Sequence, residues 1–245
     1  MRFIVFLLLG SLSALAQLSP ISNDFGQLVV VVTKGLTNVD GQLRCFERSK
    51  DGRWKQHGKS IAIVVGRNGL ALAAGTDLPV TDIPTRTKHE GDGCSPAGVL
   101  GLPTAFGYAP ADQARWIKLP YIQCTDAVEC VDDVKSTHYN QVLDSATVPS
   151  RDWNSSEHMH RKDVLYRWGV VVDHNPERKP GNGSCIFLHI WEGPHRGTTG
   201  CTAMDERDLK RVIAWLDPKA RPLLVQFPEA EYQQLQKSWT LPRLR

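Results

Sequence analysis

The chain has 245 residues, enough for one sizeable domain or two small ones. Its apolar content of 41% and charged content of 22% are those of an ordinary soluble globular protein. The formal net charge is only +3 and the charges are interspersed, which argues against a nucleic-acid partner.

The first residues, MRFIVFLLLGSLSALAQ, carry one charge at Arg2, then an apolar run to about Leu15 and a small-x-small step, Ala14-Leu15-Ala16. That is the pattern of a secretory signal peptide, expected over residues 1–16. The run is shorter than the roughly 18 apolar residues of a membrane span. The mature protein is therefore expected outside the cytoplasm, periplasmic or cell-wall associated, without a membrane anchor. Export permits disulfides among Cys45, Cys94, Cys124, Cys130, Cys185 and Cys201. Cys124 and Cys130 are expected to close a small loop. Cys45 and Cys94 are a second possible pair. Cys185, in the apolar run SCIFLHI, reads as a buried small hydrophobe.

From about residue 24 the pattern is a β meander. QLVVVVTKG is a strand by its β-branched content, and a hairpin is expected around Lys50-Asp51-Gly52. A second hairpin is expected around Arg67-Asn68-Gly69, pairing VVG with LALAAG. Residues 88–104 are rich in Gly and Pro and read as a surface loop; residues 120–150 are polar and irregular. A short helix is expected from Ser155, capped by Ser155 or Ser156 with Glu157 in its first turn. LYRWGVVVDHN and GSCIFLHIWEG read as strands. MDERDLKRVIAWLDP is the clearest helix: Asp205 caps it, Glu206 and Asp208 suit its first turn, and Leu209, Val212, Ile213 and Leu216 form one stripe. ARPLLVQFP is a last strand, and a polar tail over 228–245 holds a possible short helix. The fold class is mainly β with a few helices.

Strand period sets His189 beside Phe187 and Trp191, opposite the row Ile186, Leu188 and Ile190. Twelve positions later comes Cys201, in the stretch GTTGCTAM. A turn with Gly193, Pro194 and Gly197 lies between them and permits the two side chains to meet. Gly200 lets backbone approach closely. A helix starting soon after the cysteine is expected to favour its thiolate. Together these are the parts of an activated Cys–His pair.

The run GSCIFLHIWEGPHRGTTGCTAM, residues 183–204, resembles the catalytic segment of the L,D-transpeptidase (YkuD-type) family. KHEGDGCSPAG at 88–98, CVDDVKSTHYN at 130–140 and WNSSEHMHRKDVLY at 153–166 resemble further segments of an exported branch, so the likeness covers about residues 28–227. It implies one catalytic domain over 24–227, sandwich- or barrel-like, with the cysteine on a turn before a helix. The implied substrate is the stem peptide of peptidoglycan, and the implied reaction runs through a thioester with no metal or organic cofactor. The chain is expected to be a monomer. Cys201 is then the nucleophile and His189 its base, with the Gly200 and Cys201 N–H groups as oxyanion donors. Many members have an arginine two places after the cysteine, where Ala203 stands here. Arg196 and His195 are candidates to replace it, and Thr199 is a candidate substrate donor. Hydrolysis of wall peptides and a silent wall-binding domain are the competing readings. Among the other polar residues, His158 and His160 read as solvated helix surface. His174 and Asn175 either line the cleft or begin the Pro176 turn. Asp92 and Thr198 either brace their loops or touch ligand.

Overall fold

The computed structural model describes residues 19–76 and 86–244, so the expected signal peptide over 1–16 lies outside the described residues. The protein is mainly β. Strands β1 (Gln27–Thr33), β2 (Asp40–Arg48) and β3 (Trp54–Val64) form the expected meander, with β2 and β3 joined at the Asp51-Gly52 turn. The next strands are β4 (Leu70–Leu72), β5 (Ser95–Gly107) and β6 (Tyr121–Gln123). A polar excursion follows, made of β7 (Val128–Val131), β8 (Val142–Asp144) and β9 (Ser156–His158). Then come β10 (Trp168–Asp173), β11 (Phe187–Ile190), β12 (Thr202–Met204), helix α1 (Glu206–Trp215), β13 (Leu223–Pro228) and helix α2 (Glu229–Ser238).

Eight strands close on themselves. The pairings run β5–β10–β11–β12–β3–β2–β1–β13 and return to β5, because Gly101 of β5 opposes both Asp173 of β10 and Leu223 of β13. β4 and β6 add to β5 in parallel. Closure removes the free edges that an open sheet exposes. The interior is aliphatic: Val29, Val31, Leu43, Ile63, Leu188 and Leu224 are buried on the same face of these strands. β1 is buried along its whole length because α2 packs on the ring beside it. α1 follows its sequence pattern. The Asp205 carboxylate accepts from the Arg207 N–H at 2.9 Å, and Leu209, Val212 and Ile213 face the barrel. Its last helical residue is Trp215, so it ends before Pro218.

Several expectations are corrected. The turn at Asn68-Gly69 exists, but β4 runs on to pair with β5 rather than back along β3. Residues 88–104 are only half loop, because β5 starts at Ser95 and is the longest strand. Its alanines and glycines are small because β4, β10 and β13 approach from both edges. The segment after Ser155 is strand β9, not a helix: its backbone pairs with β7, and Glu157 opposes Cys130. Tertiary pairing here overrides a weak local signal.

β8-β7-β9 form a separate three-stranded sheet. It covers a second buried cluster that includes Phe106, Met159, Tyr166, Phe187 and Cys201. A disulfide fastens it there, linking Cys130 of β7 to Cys185, two residues before β11. The expected Cys124–Cys130 loop is thus not formed. Cys185 is bridged rather than a free hydrophobe, and Cys45, Cys94, Cys124 and Cys201 are free and buried. Cys45 lies in the barrel core and Cys94 in the loop before β5, where its thiol lies 3.5 Å from the Asp92 carbonyl. Among the described residues no helix is long and apolar enough to cross a membrane.

The bridge spans 55 residues, so in the chain-entropy picture it stabilises the fold by about 4 kcal/mol. Replacing both Cys130 and Cys185 by Ala is expected to lower unfolding free energy by about 2–4 kcal/mol in urea titrations. An unchanged midpoint would show that the small sheet is held by packing alone.

Candidate functional site

Cys201 lies at the end of a turn that four hydrogen bonds hold. The Ser95 and Thr198 hydroxyls donate to the Cys201 carbonyl at 2.7 and 2.6 Å. The Gly66 N–H donates to Ser95 Oγ at 2.9 Å, and the Arg67 N–H donates to the Thr198 carbonyl at 2.7 Å. The turn runs close to its neighbours at two glycines. A Cβ on Gly197 would stand 2.5 Å from Arg67 Cα, and one on Gly200, at φ +156°, would stand 3.3 Å from the Cys94 carbonyl. Thr198 therefore braces the turn.

β12 follows at once and pairs in parallel with β11, matching Leu188 with Thr202 and His189 with Ala203. Leu188, Ile190 and Met204 face the barrel core, while Phe187 and Cys201 belong to the second cluster. Cys201 and His189 thus stand on the same face of adjacent strands, one pleat repeat apart. The helix expected after the cysteine's turn is present, with the short strand β12 between them. Four residues, β12 among them, separate Cys201 from α1, so the dipole at the start of α1 does not act on the thiol.

The thiol is 4% exposed. Its sulfur accepts from the Phe187 N–H at 3.3 Å and faces the Cys185 carbonyl at 3.6 Å. Burial, with the charge of Glu157 second, pushes its pKa far above the usual thiol range. The His189 Nδ1 lies 2.7 Å from the Ile190 carbonyl, which only accepts, so Nδ1 carries the proton and Nε2 keeps its lone pair. Burial lowers the His189 pKa to about 4. The resting pair is therefore a neutral thiol and a neutral imidazole, not the expected ion pair. The cause is desolvation in the cluster beneath the small sheet. The Tyr166 ring meets the His189 ring edge-on at 5.2 Å, and its hydroxyl donates to Glu157 Oε2 at 2.7 Å.

Cys201 opens onto a cavity of about 280 Å³. Arg67 and Lys88 bring positive charge to its wall, and Glu90, Asp132 and Glu157 bring negative charge. Thr199 and Gly200 also line it. The Lys88 ammonium donates to Asp92 Oδ1 and the His89 carbonyl, both at 2.7 Å. Burial pushes the Asp92 carboxyl up, but bonds from the His89 N–H, Lys88 and the Cys94 N–H outweigh it and hold it below the usual range. Asp92 thus braces its loop. One oxygen of Asp132, Oδ1, is buried without a hydrogen-bond partner.

The other expected site residues fall elsewhere. His195 is exposed and pairs with Asp40 at 2.8 Å, and Arg196 is exposed and pairs with Glu192 at 3.1 Å. Neither lines the cavity, whose cations are Arg67 and Lys88 instead. The Gly200 N–H is spent on Thr198 Oγ1 at 3.1 Å, which leaves the Cys201 N–H as the oxyanion candidate of the two. His174 and Asn175 organise the 174–183 loop: His174 Nε2 bonds the Asn182 carbonyl, and Asn175 Nδ2 donates to the Lys179 and Gly183 carbonyls. His158 is exposed on β9, and His160 pairs with Asp126. Among the described residues no group of three His, Cys, Asp or Glu side chains is arranged to hold a metal ion. Arg67, Lys88 and Glu157 were missed in the sequence because each looked local. Arg67 sat in a turn, Lys88 opened a loop, and Glu157 suited a helix start.

The chain matches no protein-family model, no curated protein and no solved structure.

His174 and His189 are both held near pKa 4 by burial, against 6.5 in an unfolded chain. The unfolded chain binds these protons first as pH falls. Stability is therefore complete above about pH 6.5 and is lost progressively toward pH 4, by at most on the order of 3 kcal/mol per histidine. Urea midpoints measured from pH 7.5 to 4.5 should fall, and His174→Gln should make the fall shallower; a flat profile would contradict the assignment.

Proposed function

We propose that this chain is an exported L,D-transpeptidase acting on peptidoglycan stem peptides, with Cys201 as nucleophile. One observation carries the reading. A free cysteine on a tightly braced glycine turn opens onto a charged cavity, on the same face as a neutral histidine with an available Nε2. The likeness of residues 183–204 to the L,D-transpeptidase catalytic segment supplies the substrate class.

In this mechanism a tetrapeptide stem enters the cavity with its charged groups against Arg67, Lys88 and the facing carboxylates. Cys201 Sγ attacks the carbonyl before the terminal D-alanine as His189 Nε2 takes the thiol proton. The carbonyl oxygen becomes an oxyanion, for which the Cys201 N–H is the nearest candidate donor. The C–N bond breaks, the His189 proton goes to the leaving amine, and a thioester remains. A neutral starting pair suits this order of events, since charge then develops only while substrate excludes water. Arg67 takes the part that a family arginine would have at Ala203. An amine acceptor gives a cross-link or exchanged end, and water gives trimming. No cofactor enters.

The depth of the thiol favours one further reading, a silent wall-binding domain. Incubation with a carbapenem or a tetrapeptide, followed by intact-mass measurement, separates the two. The enzyme reading expects one acyl group on the native chain and none on Cys201→Ala, with His189→Ala acylating about a hundredfold slower. A native chain that binds sacculi yet never acylates would support the silent domain.

A further inference from the structure

We infer that Glu157 is the base and docking group for the acceptor amine, with Tyr166 as its positioning residue. This rests on the transpeptidase reading and goes beyond it, since that reading names no base for the acceptor.

The argument starts from register. Glu157 of β9 directly opposes Cys130 of β7, and opposed residues share a face of the sheet. Cys130 is bridged to Cys185, whose carbonyl lies 3.6 Å from Cys201 Sγ. The bridge therefore turns the Glu157 face of the small sheet onto the thiol, and Glu157 lines the same cavity as Cys201. His189 does not line that cavity, and its Nδ1–H is committed to the Ile190 carbonyl. An acceptor ammonium that enters the cavity after the sulfur is acylated meets Glu157 directly, because Glu157 lines that cavity.

The Tyr166 hydroxyl fixes Glu157 Oε2 at 2.7 Å and leaves Oε1 without a bond among the described residues. Tyr166 is itself clamped by edge contacts to Phe106, Phe187 and His189. Burial raises the Glu157 carboxyl, and the charges of Asp132 and Glu90 raise it further, while Tyr166 and Arg161 oppose this. An ammonium group relieves that repulsion, and Asp132 lines the same cavity.

The step balances. The acceptor arrives as an alkylammonium, and Glu157 carboxylate takes one proton. The amine nitrogen forms a bond to the thioester carbonyl, the C–S bond breaks, and its electron pair stays on sulfur. A second amine proton passes to sulfur, leaving an amide, a neutral Cys201 and a protonated Glu157.

The test separates acylation from aminolysis. The chain is acylated with a tetrapeptide donor and chased with a D-amino acid or an alkylamine, following exchanged and hydrolysed products. Aminolysis of the preformed acyl-enzyme of Glu157→Gln is expected to fall by about a hundredfold while its hydrolysis is kept, whatever the rate at which the variant acylates. Aminolysis in Glu157→Gln should recover as pH approaches the acceptor's own pKa, about 10 for an alkylammonium. Tyr166→Phe should raise the acceptor KM more than it lowers kcat. An unchanged aminolysis-to-hydrolysis ratio in acylating Glu157→Gln would overturn the inference while leaving the transpeptidase reading intact. Failure of the native chain to acylate would overturn both. Glu157→Asp, which keeps the charge, should retain part of the aminolysis; a loss equal to that of the Gln variant would also count against the inference.

Discussion

One carbonyl, that of Cys201, receives two hydroxyls, and the remainder of the site follows from that anchorage. Ser95 belongs to β5 and Thr198 to the cysteine's own turn, so the two bonds tie the long strand to the loop between β11 and β12. They set the phase in which the chain enters β12. Thr202 then points inward, where its hydroxyl bonds the buried Gln226, and Cys201 points outward to the cavity. A slip of one residue would exchange them, placing a thiol in the barrel and a threonine where the chemistry is proposed.

Desolvation governs the site's electrostatics. Burial raises the pKa of Cys201 and Tyr166 and lowers that of His189, which holds all three in their neutral forms. The charged side chains of Arg67, Lys88, Glu90, Asp132 and Glu157 line the cavity. Interactions between such groups and a bound ligand are stronger than they would be in water, because little solvent screens them. The arrangement suits a ligand that carries both signs of charge.

The small sheet is the roof of this chamber, and its attachments converge on residue 185. Besides the disulfide, Asn140 Oδ1 accepts from the Cys185 N–H at 3.0 Å, while Asn140 Nδ2 donates to the His174 and Asn175 carbonyls. Cys185, Asn140 and Asn175 all adopt positive φ, at +54°, +59° and +52°. For residues other than glycine this costs about 1 kcal/mol or more each, and the cross-bonds hold them there. Backbone strain at the roof's seam is thus balanced by the contacts that aim the Cys185 carbonyl at the thiol.

Local patterns in the sequence were enough for the elements whose stability is local. The meander strands, the Asp51-Gly52 hairpin, the capped helix α1 and the alternation that puts His189 and Ile190 on opposite faces all follow from period, caps and turn residues read within a dozen positions. The cysteine on its glycine turn was legible for the same reason. Ring closure, the Cys130–Cys185 bridge, the strand at Glu157 and the neutral state of the Cys–His pair were decided only by the tertiary structure. Each depends on partners distant in the chain: β5 against β10 and β13, 55 residues between bridged cysteines, and a roof whose burial sets the charge below it. Periodicity tells a residue which face it occupies, but only packing tells it what that face meets and how much water is left there.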